Sequence, residues 1–218
     1  MRINNLSRIV IFANGHLPDL QKARALIRAD DTLIAADGGT RHALVLGRKP
    51  DLIIGDLDSI TQAEKSQMES AGVKIIQYSR DKNETDLELA IQHAIEFKPD
   101  QIVIIAALGD RLDQILANLA LISDIQLAHL DVRLDDGVEE AFFCRAQVQV
   151  QGKSGDVVSL IPWQGAVTDV STKNLKWPLH NEVLYPERSR VVSNEMISEN
   201  AVIKIRSGLL LVVHSRKS

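Results

Sequence analysis

Seven aspartates in this 218-residue chain stand just past short apolar runs: Asp37 after DTLIAA, Asp56 and Asp58 after DLIIG, Asp81 and Asp86 after VKIIQY, Asp110 and Asp113 after QIVIIAAL. One such aspartate is commonly a turn former or a helix cap. Four loops with the same feature ask for a shared cause. Two carboxylates about 4 Å apart repel by about 4 kcal/mol at an effective dielectric near 20, so a cluster calls for a cation or for raised pKa values. Magnesium suits such a cluster, because it takes oxygen ligands and bridges carboxylates to phosphates. In GDLDS, Asp56 and Asp58 stand two apart, a spacing that in extended backbone aims both side chains the same way. Arg80, Lys82 and Arg111 share these loops and could neutralise phosphates. Thr61 with Glu64, and Thr85 with Glu88, have capping-box spacing, for which the structural reading is preferred at Thr61, Glu64 and Glu88. Asp86 falls in a first helical turn, where the helix dipole favours an anion. Asp37-Gly38-Gly39 lets backbone approach a ligand or simply opens a helix. Neither GxxxxGK[ST] nor GxGxxG occurs, so a nucleotide site would have to use a different set of loops.

The elements that must position these residues read as follows. Up to about residue 130, the apolar runs RIVIFA, DTLIAA, DLIIG, VKIIQY and QIVIIAAL alternate with segments of helical period, the pattern of βαβ units around a parallel sheet. Five strands and five helices are expected. Ligands in such sheets bind outside the carboxyl ends of the strands, so the acidic loops should meet in one crevice. After Gly137 the pattern changes to β-type runs: EEAFFCRAQVQVQG, GDVVSLIP, AVTDVSTKNLKW, AVIKIRSG and LLLVVHS. The expectation is an α/β domain over 1–135, with a mostly parallel sheet flanked by helices, then a smaller all-β, sandwich-like domain over 136–218. Asp135-Asp136-Gly137 offers the turn between them.

Composition narrows the partners. A formal charge of -4 and a pI near 5.9 argue against nucleic acid, whose binders carry a dominant basic patch. The lone Cys144 excludes an internal disulfide, and no Cys/His cluster has zinc spacing. The apolar run Ile9 to Ala13 is too short for a signal-peptide core or a membrane span, so a cytoplasmic protein acting on a small soluble substrate is expected.

Read in order, Ala36-Asp37-Gly38-Gly39, the stretch from Pro50 through Gly55-Asp56-Leu57-Asp58-Ser59, Asp81-Lys82-Asn83-Glu84-Thr85-Asp86 and Gly109-Asp110-Arg111-Leu112-Asp113 resemble the thiamine pyrophosphokinase family. The β-rich half continues the likeness with GDVVSLIP from Gly155, Asn174-Leu175-Lys176-Trp177-Pro178-Leu179 and Ser193-Asn194-Glu195. The resemblance implies transfer of pyrophosphate from ATP to the hydroxyl of thiamine, with AMP released. It further implies a homodimer whose active sites lie between the catalytic domain of one chain and the β-domain of the other. By the same likeness Asp56, Asp58 and Asp86 would hold Mg2+. Lys82, Thr85, Arg111, Asp113 and Asn118 would surround the nucleotide or the migrating group, Asp37 would line the same cleft, and Ser193 and Asn194 would face the thiamine pyrimidine. Asp113 is the candidate for orienting or deprotonating the acceptor hydroxyl.

Three positions depart from the family pattern. Gln114 stands where His is common, and an amide can hydrogen-bond but cannot become cationic. Asn174 replaces a common Gly, a mild change because Asn tolerates left-handed backbone. Met196 stands near Ser-Asn where some relatives carry an aromatic, leaving Trp177 as a substitute for stacking, although a strand Trp is more often core. Two rival readings are a phosphatase using Asp56 as nucleophile, which would place its DxD nearer the first strand, and a non-catalytic thiamine or nucleotide sensor.

Overall fold

The computed structural model describes residues 7–109 and 111–217. Asp110 therefore lies outside the described residues. The chain divides into two units, Met1–Gly137 and Val138–Ser218.

In the first unit, strands β1 (Arg8–Phe12), β2 (Thr32–Ala36), β3 (Leu52–Gly55), β4 (Lys74–Gln77), β5 (Gln101–Ile105) and β6 (Asp131–Asp135) alternate with helices. The helices are α1 (Leu20–Ala25), α2 (Gly39–Val45), α3 (Gln62–Ser70), α4 (Asp86–Glu96) and α5 (Leu112–Ile122). The strands lie in the order β4-β3-β2-β1-β5-β6 and every pairing is parallel. Strands β1, β2, β3 and β5 are buried along almost their whole length, as a sheet covered on both faces requires. On α4, Leu87, Ala90, Ile91 and Ala94 repeat at helical spacing and are buried. The expected five strands fall short by β6, where Val132 and Leu134 are buried while Asp131 is exposed. Its alternating pattern offers no continuous apolar run of the kind that marks its parallel neighbours.

The order reverses between β1 and β5: from β1 the chain proceeds to β2 on one side, and β5 lies on the other. The crevice of an open α/β sheet opens at that point, outside the carboxyl ends of the strands. Helix α2 packs close against it. A Cβ at Gly39 would lie 1.9 Å from the Phe12 carbonyl oxygen, and one at Gly38 would lie 2.5 Å from the Asn14 side chain. The double glycine is thus fixed by contact between α2 and the end of β1.

The second unit contains β7 (Glu139–Cys144), β8 (Gln147–Gln151), β9 (Val157–Lys173), β10 (Glu182–Leu184), β11 (Asn194–Glu195), β12 (Asn200–Lys204) and β13 (Ser207–Ser215). Two runs expected as separate strands, GDVVSLIP and AVTDVSTKNLKW, form the single strand β9. It changes partners midway: its first half pairs β13 and β11, and its second half pairs β12 and β10, all antiparallel. Gln164 and Gly165, with φ of 64° and 132°, mark the irregularity between the halves. Conversely, EEAFFCRAQVQVQG divides into β7 and β8. Phe142, Val158, Leu160, Val170, Ile203 and Leu210 lie in the core between the sheets. Fully buried His214 ties strands together, with Nδ1 2.9 Å from Glu140 and Nε2 3.1 Å from Asp156. Among the described residues no helix is long and apolar enough to cross a membrane.

Gly39→Ala forces a methyl group into the Phe12 carbonyl. Overpacking of this kind costs about 1–3 kcal/mol, so urea denaturation should show that loss; an unchanged midpoint would contradict the close packing of α2 on β1.

Candidate active site at the carboxyl edge of the parallel sheet

Asp37 follows β2 in left-handed backbone, with φ of 42°. Its N–H donates to the Ile54 carbonyl at 2.8 Å, and its own carbonyl accepts from the Thr40 hydroxyl at 2.8 Å. The backbone is therefore pinned while the carboxylate is left to act. Asp37 is only 5% exposed, and its Oδ1 is buried without a hydrogen-bond partner among the described residues. A buried anionic oxygen with no donor costs several kcal/mol unless something compensates it.

Asp56 and Asp58 follow β3. Their carboxylates do converge, though not through extended backbone: Leu57 between them has φ of 62°, and Asp56 Oδ1 accepts the Asp58 N–H at 3.1 Å. One oxygen each from Asp37, Asp56 and Asp58 lies within 4.8 Å of the others. That arrangement brings together three oxygen donors of the kind a hard divalent cation prefers.

Asp86 opens α4. Thr85 caps that helix, its hydroxyl accepting from the Glu88 N–H at 3.1 Å, whereas the reciprocal capping box is complete at Thr61 and Glu64. Gly55 sits between Asp37 and Asp86: with φ of 151°, it would place a Cβ 3.0 Å from both Asp37 Cβ and Asp86 Cγ. Lys82 Nζ is 2.9 Å from Asp86 Oδ1 and 4.0 Å from Asp56 Oδ2. The contact with Asp86 is an ion pair at hydrogen-bond distance. Desolvation would lower the Lys82 pKa, but Asp86, Asp56 and Asp37 together hold it above its ordinary value. Asp86 thus lies beside the acidic trio with a lysine already against it, and Asp37 takes the third place in the cluster. Arg80 is ion-paired to Asp58 and lies 3.8 Å from Asp56, but its side chain is 73% exposed.

A cavity of 270 Å³ occupies the sheet's reversal point. Asn14, Asp37, Thr85, Asp86, Gln114 and Asn118 supply its polar lining. Asn118 donates to the Ala107 carbonyl at 3.0 Å. A neighbouring cavity of 530 Å³ shares Asn14, Gly15, Gly109 and Gln114 and adds His16, His42 and Arg111. Burial lowers the pKa of His42. Asn14 and Gly15, which carry no charge, are additions to the residues singled out in the sequence; the Asn-Gly pair just after β1 was the available signal.

Asp113 and Arg111 form a two-pronged pair at 3.2 and 2.6 Å, and both side chains are about two-thirds exposed, at 68% and 65%. The hydrogen bond from Arg111 holds the Asp113 carboxyl below its ordinary pKa. On this first turn of α5 the next residue, Gln114, lines the cavity.

In the second unit, Ser193 has φ of 63° and its N–H donates to Ser159 at 2.9 Å. The buried Asn194 side chain is engaged at both ends, accepting from the Trp177 N–H at 3.1 Å and donating to the Trp177 carbonyl at 2.8 Å. Trp177 is 55% exposed rather than core, with Lys176 Nζ 4.8 Å from its ring centroid. Its backbone is clamped and its ring left partly open, beside a cavity of 260 Å³ that it lines with Pro178, Arg190 and Asn194.

Comparison with known proteins finds matches in both units. Residues 23–156 match the family model "Thiamin pyrophosphokinase, catalytic domain", and 145–210 match "Thiamin pyrophosphokinase, vitamin B1 binding domain". The chain is 29% identical over 184 residues to the thiamine pyrophosphokinase of Bacillus subtilis (strain 168), covering 84% of this chain and 86% of that one. It is 28% identical over 179 residues to thiamine pyrophosphokinase 1 of Arabidopsis thaliana, covering 78% and 67% respectively. Its fold superposes on the crystal structure of the Bacillus subtilis thiamine pyrophosphokinase with a TM-score of 0.87 at 26% identity, over 97% of this chain and 100% of the other.

Asp37→Asn removes a buried, poorly compensated charge from a site crowded with like charges. Thermal or urea unfolding without divalent cations should show a gain on the order of 1 kcal/mol. A loss of stability would mean that the Asp37 carboxylate is already compensated.

Proposed function

The chain belongs to the thiamin pyrophosphokinase family, and on that premise we propose that it transfers the pyrophosphoryl group of ATP to the hydroxyl of thiamine, giving thiamine diphosphate and AMP. The observation that carries this reading is the convergence of Asp37, Asp56 and Asp58 at the sheet's carboxyl edge, with one Asp37 oxygen buried and unpartnered. The donor set fits Mg2+: three carboxylates from two loops, with Asp86 alongside. Bound there, the ion would neutralise phosphoryl oxygens of the nucleotide.

The remaining work falls to the chain's own residues. Lys82, sheltered at 12% side-chain exposure, and Arg80 at the rim place cations beside a polyphosphate. Thr85, at the start of α4, and Asn118, on α5, line the cavity that would receive the nucleotide. Such transfers depend on positioning and electrostatics, so a strong protein base is not required. Asp113 suits that view: locked to Arg111 and with its pKa held down, it is assigned an orienting role for the hydroxyl rather than that of proton acceptor. Gln114, facing the cavity, provides hydrogen bonds without charge. Ser193 and Asn194 are assigned to the thiamine pyrimidine, with Asn194 acting through the Trp177 backbone it clamps. The working unit is proposed to be a cytoplasmic homodimer.

Incubation of the purified protein with thiamine, ATP and Mg2+ should yield AMP and thiamine diphosphate in equal amounts. ADP as product would overturn the reaction type, and free phosphate without an acceptor would favour the phosphatase reading. Asp86→Asn and Asp56→Asn should keep the wild-type circular dichroism spectrum and lose about 10²–10³ in kcat, the scale for removing one electrostatic contact from a preorganised site. Wild-type turnover in either variant would remove that residue from the site.

A further inference from the structure

Lys82 is placed differently from the other cations near the acids. Arg80 reaches Asp58 from solvent, and Arg111 pairs with the exposed Asp113. The Lys82 ammonium instead enters among the carboxylates, 2.9 Å from Asp86 and 4.0 Å from Asp56, on a side chain only 12% exposed. Its charge also reaches Asp37. The chain therefore carries its own monovalent counter-ion against the carboxylates that would hold a divalent one.

Resting on the proposed function, we propose that Lys82 makes cation binding conditional on the nucleotide. A bare divalent ion arriving at Asp37, Asp56 and Asp58 meets the Lys82 ammonium, 4.0 Å from Asp56, and brings no anion to draw that charge away. An ion arriving on a triphosphate brings anionic oxygens that offer the ammonium a new partner. The lysine then exchanges carboxylate for phosphate, and the acids are released to the ion. Lys82 is thus a positioning residue that disfavours metal alone and favours the metal–nucleotide complex. The short run between β4 and α4 suits this role: Thr85 caps the helix, so Asp86 is held while the flexible lysine side chain four residues earlier can swing.

The test measures Mn2+ binding to the purified full-length protein by electron paramagnetic resonance, first without nucleotide and then with a non-hydrolysable ATP analogue. Lys82→Met and Lys82→Gln remove the charge, and Lys82→Arg retains it. Both neutral variants should bind Mn2+ without nucleotide about tenfold more tightly than wild type, about 1.4 kcal/mol, and should lose the wild-type tightening on adding the analogue. Lys82→Arg should resemble wild type in both. Two neutral variants guard against misfolding of one, and circular dichroism checks each. Nucleotide-free Mn2+ affinity that is unchanged or weaker in the neutral variants overturns the proposal, and so does a nucleotide-free affinity of Lys82→Arg raised as much as theirs, which would make the effect one of shape rather than charge. Failure of the functional reading would show separately, as absence of AMP formation by the wild-type protein.

Discussion

Mutual repulsion among carboxylates at one edge of a parallel sheet is the constraint around which the first unit is arranged. A hydrophobic sheet with both faces covered can hold charged groups only where its strands end. The fold then decides which ends are close together. The reversal between β1 and β5 opens the crevice, and left-handed backbone at Asp37 and Leu57 turns the acids toward one another. Positive φ at non-glycine residues is uncommon and gathers where local conformation serves a site. Gly55 completes the approach, because a side chain there would press on both Asp37 and Asp86. The burial that makes the Asp37 carboxylate costly also makes it a strong donor to a cation, and Lys82 offsets part of that cost from within the chain.

Much of this was legible from residue type and position. The parallel α/β unit followed from apolar runs alternating with helical-period segments, and the crevice from where the acids fell relative to those runs. Charge alone picked out Asp37, Asp56, Asp58, Asp86 and Lys82, and the structure gathers them. Pairing and backbone sign were less visible. One oxygen of Asp37 lies with those of Asp56 and Asp58, and Leu57 between the latter two is left-handed rather than extended. On the first turn of α5, Gln114 lines the cavity while Asp113 is paired to Arg111, a division of neighbours that residue type alone did not reveal. Strand β6 escaped notice because it alternates polar and apolar residues. The continuity of β9 was hidden by Gln164-Gly165, which reads as a turn and acts as a bend.

The second unit follows a different logic. Its sheets share β9, and polar groups in its interior are matched internally rather than left for a ligand. His214 lies between Glu140 and Asp156, and Asp156 also accepts the N–H groups of Lys153 and Lys217. Asn194 closes on both backbone polar groups of Trp177. Such fully used side chains fix backbone and leave recognition to what that backbone presents, here the part-exposed Trp177 ring. The contrast with Asp37 separates the two kinds of buried polar residue: one is satisfied by its own fold, and the other has an oxygen left over.

We propose that the left-over Asp37 oxygen belongs to a divalent cation. Anomalous diffraction at the manganese edge, from crystals grown with Mn2+ and a non-hydrolysable ATP analogue, tests it directly. An anomalous peak is expected within ligand distance of Asp37, Asp56 and Asp58, with phosphate oxygens beside it. Analogue bound in the cavity with manganese remote from all three carboxylates would contradict it.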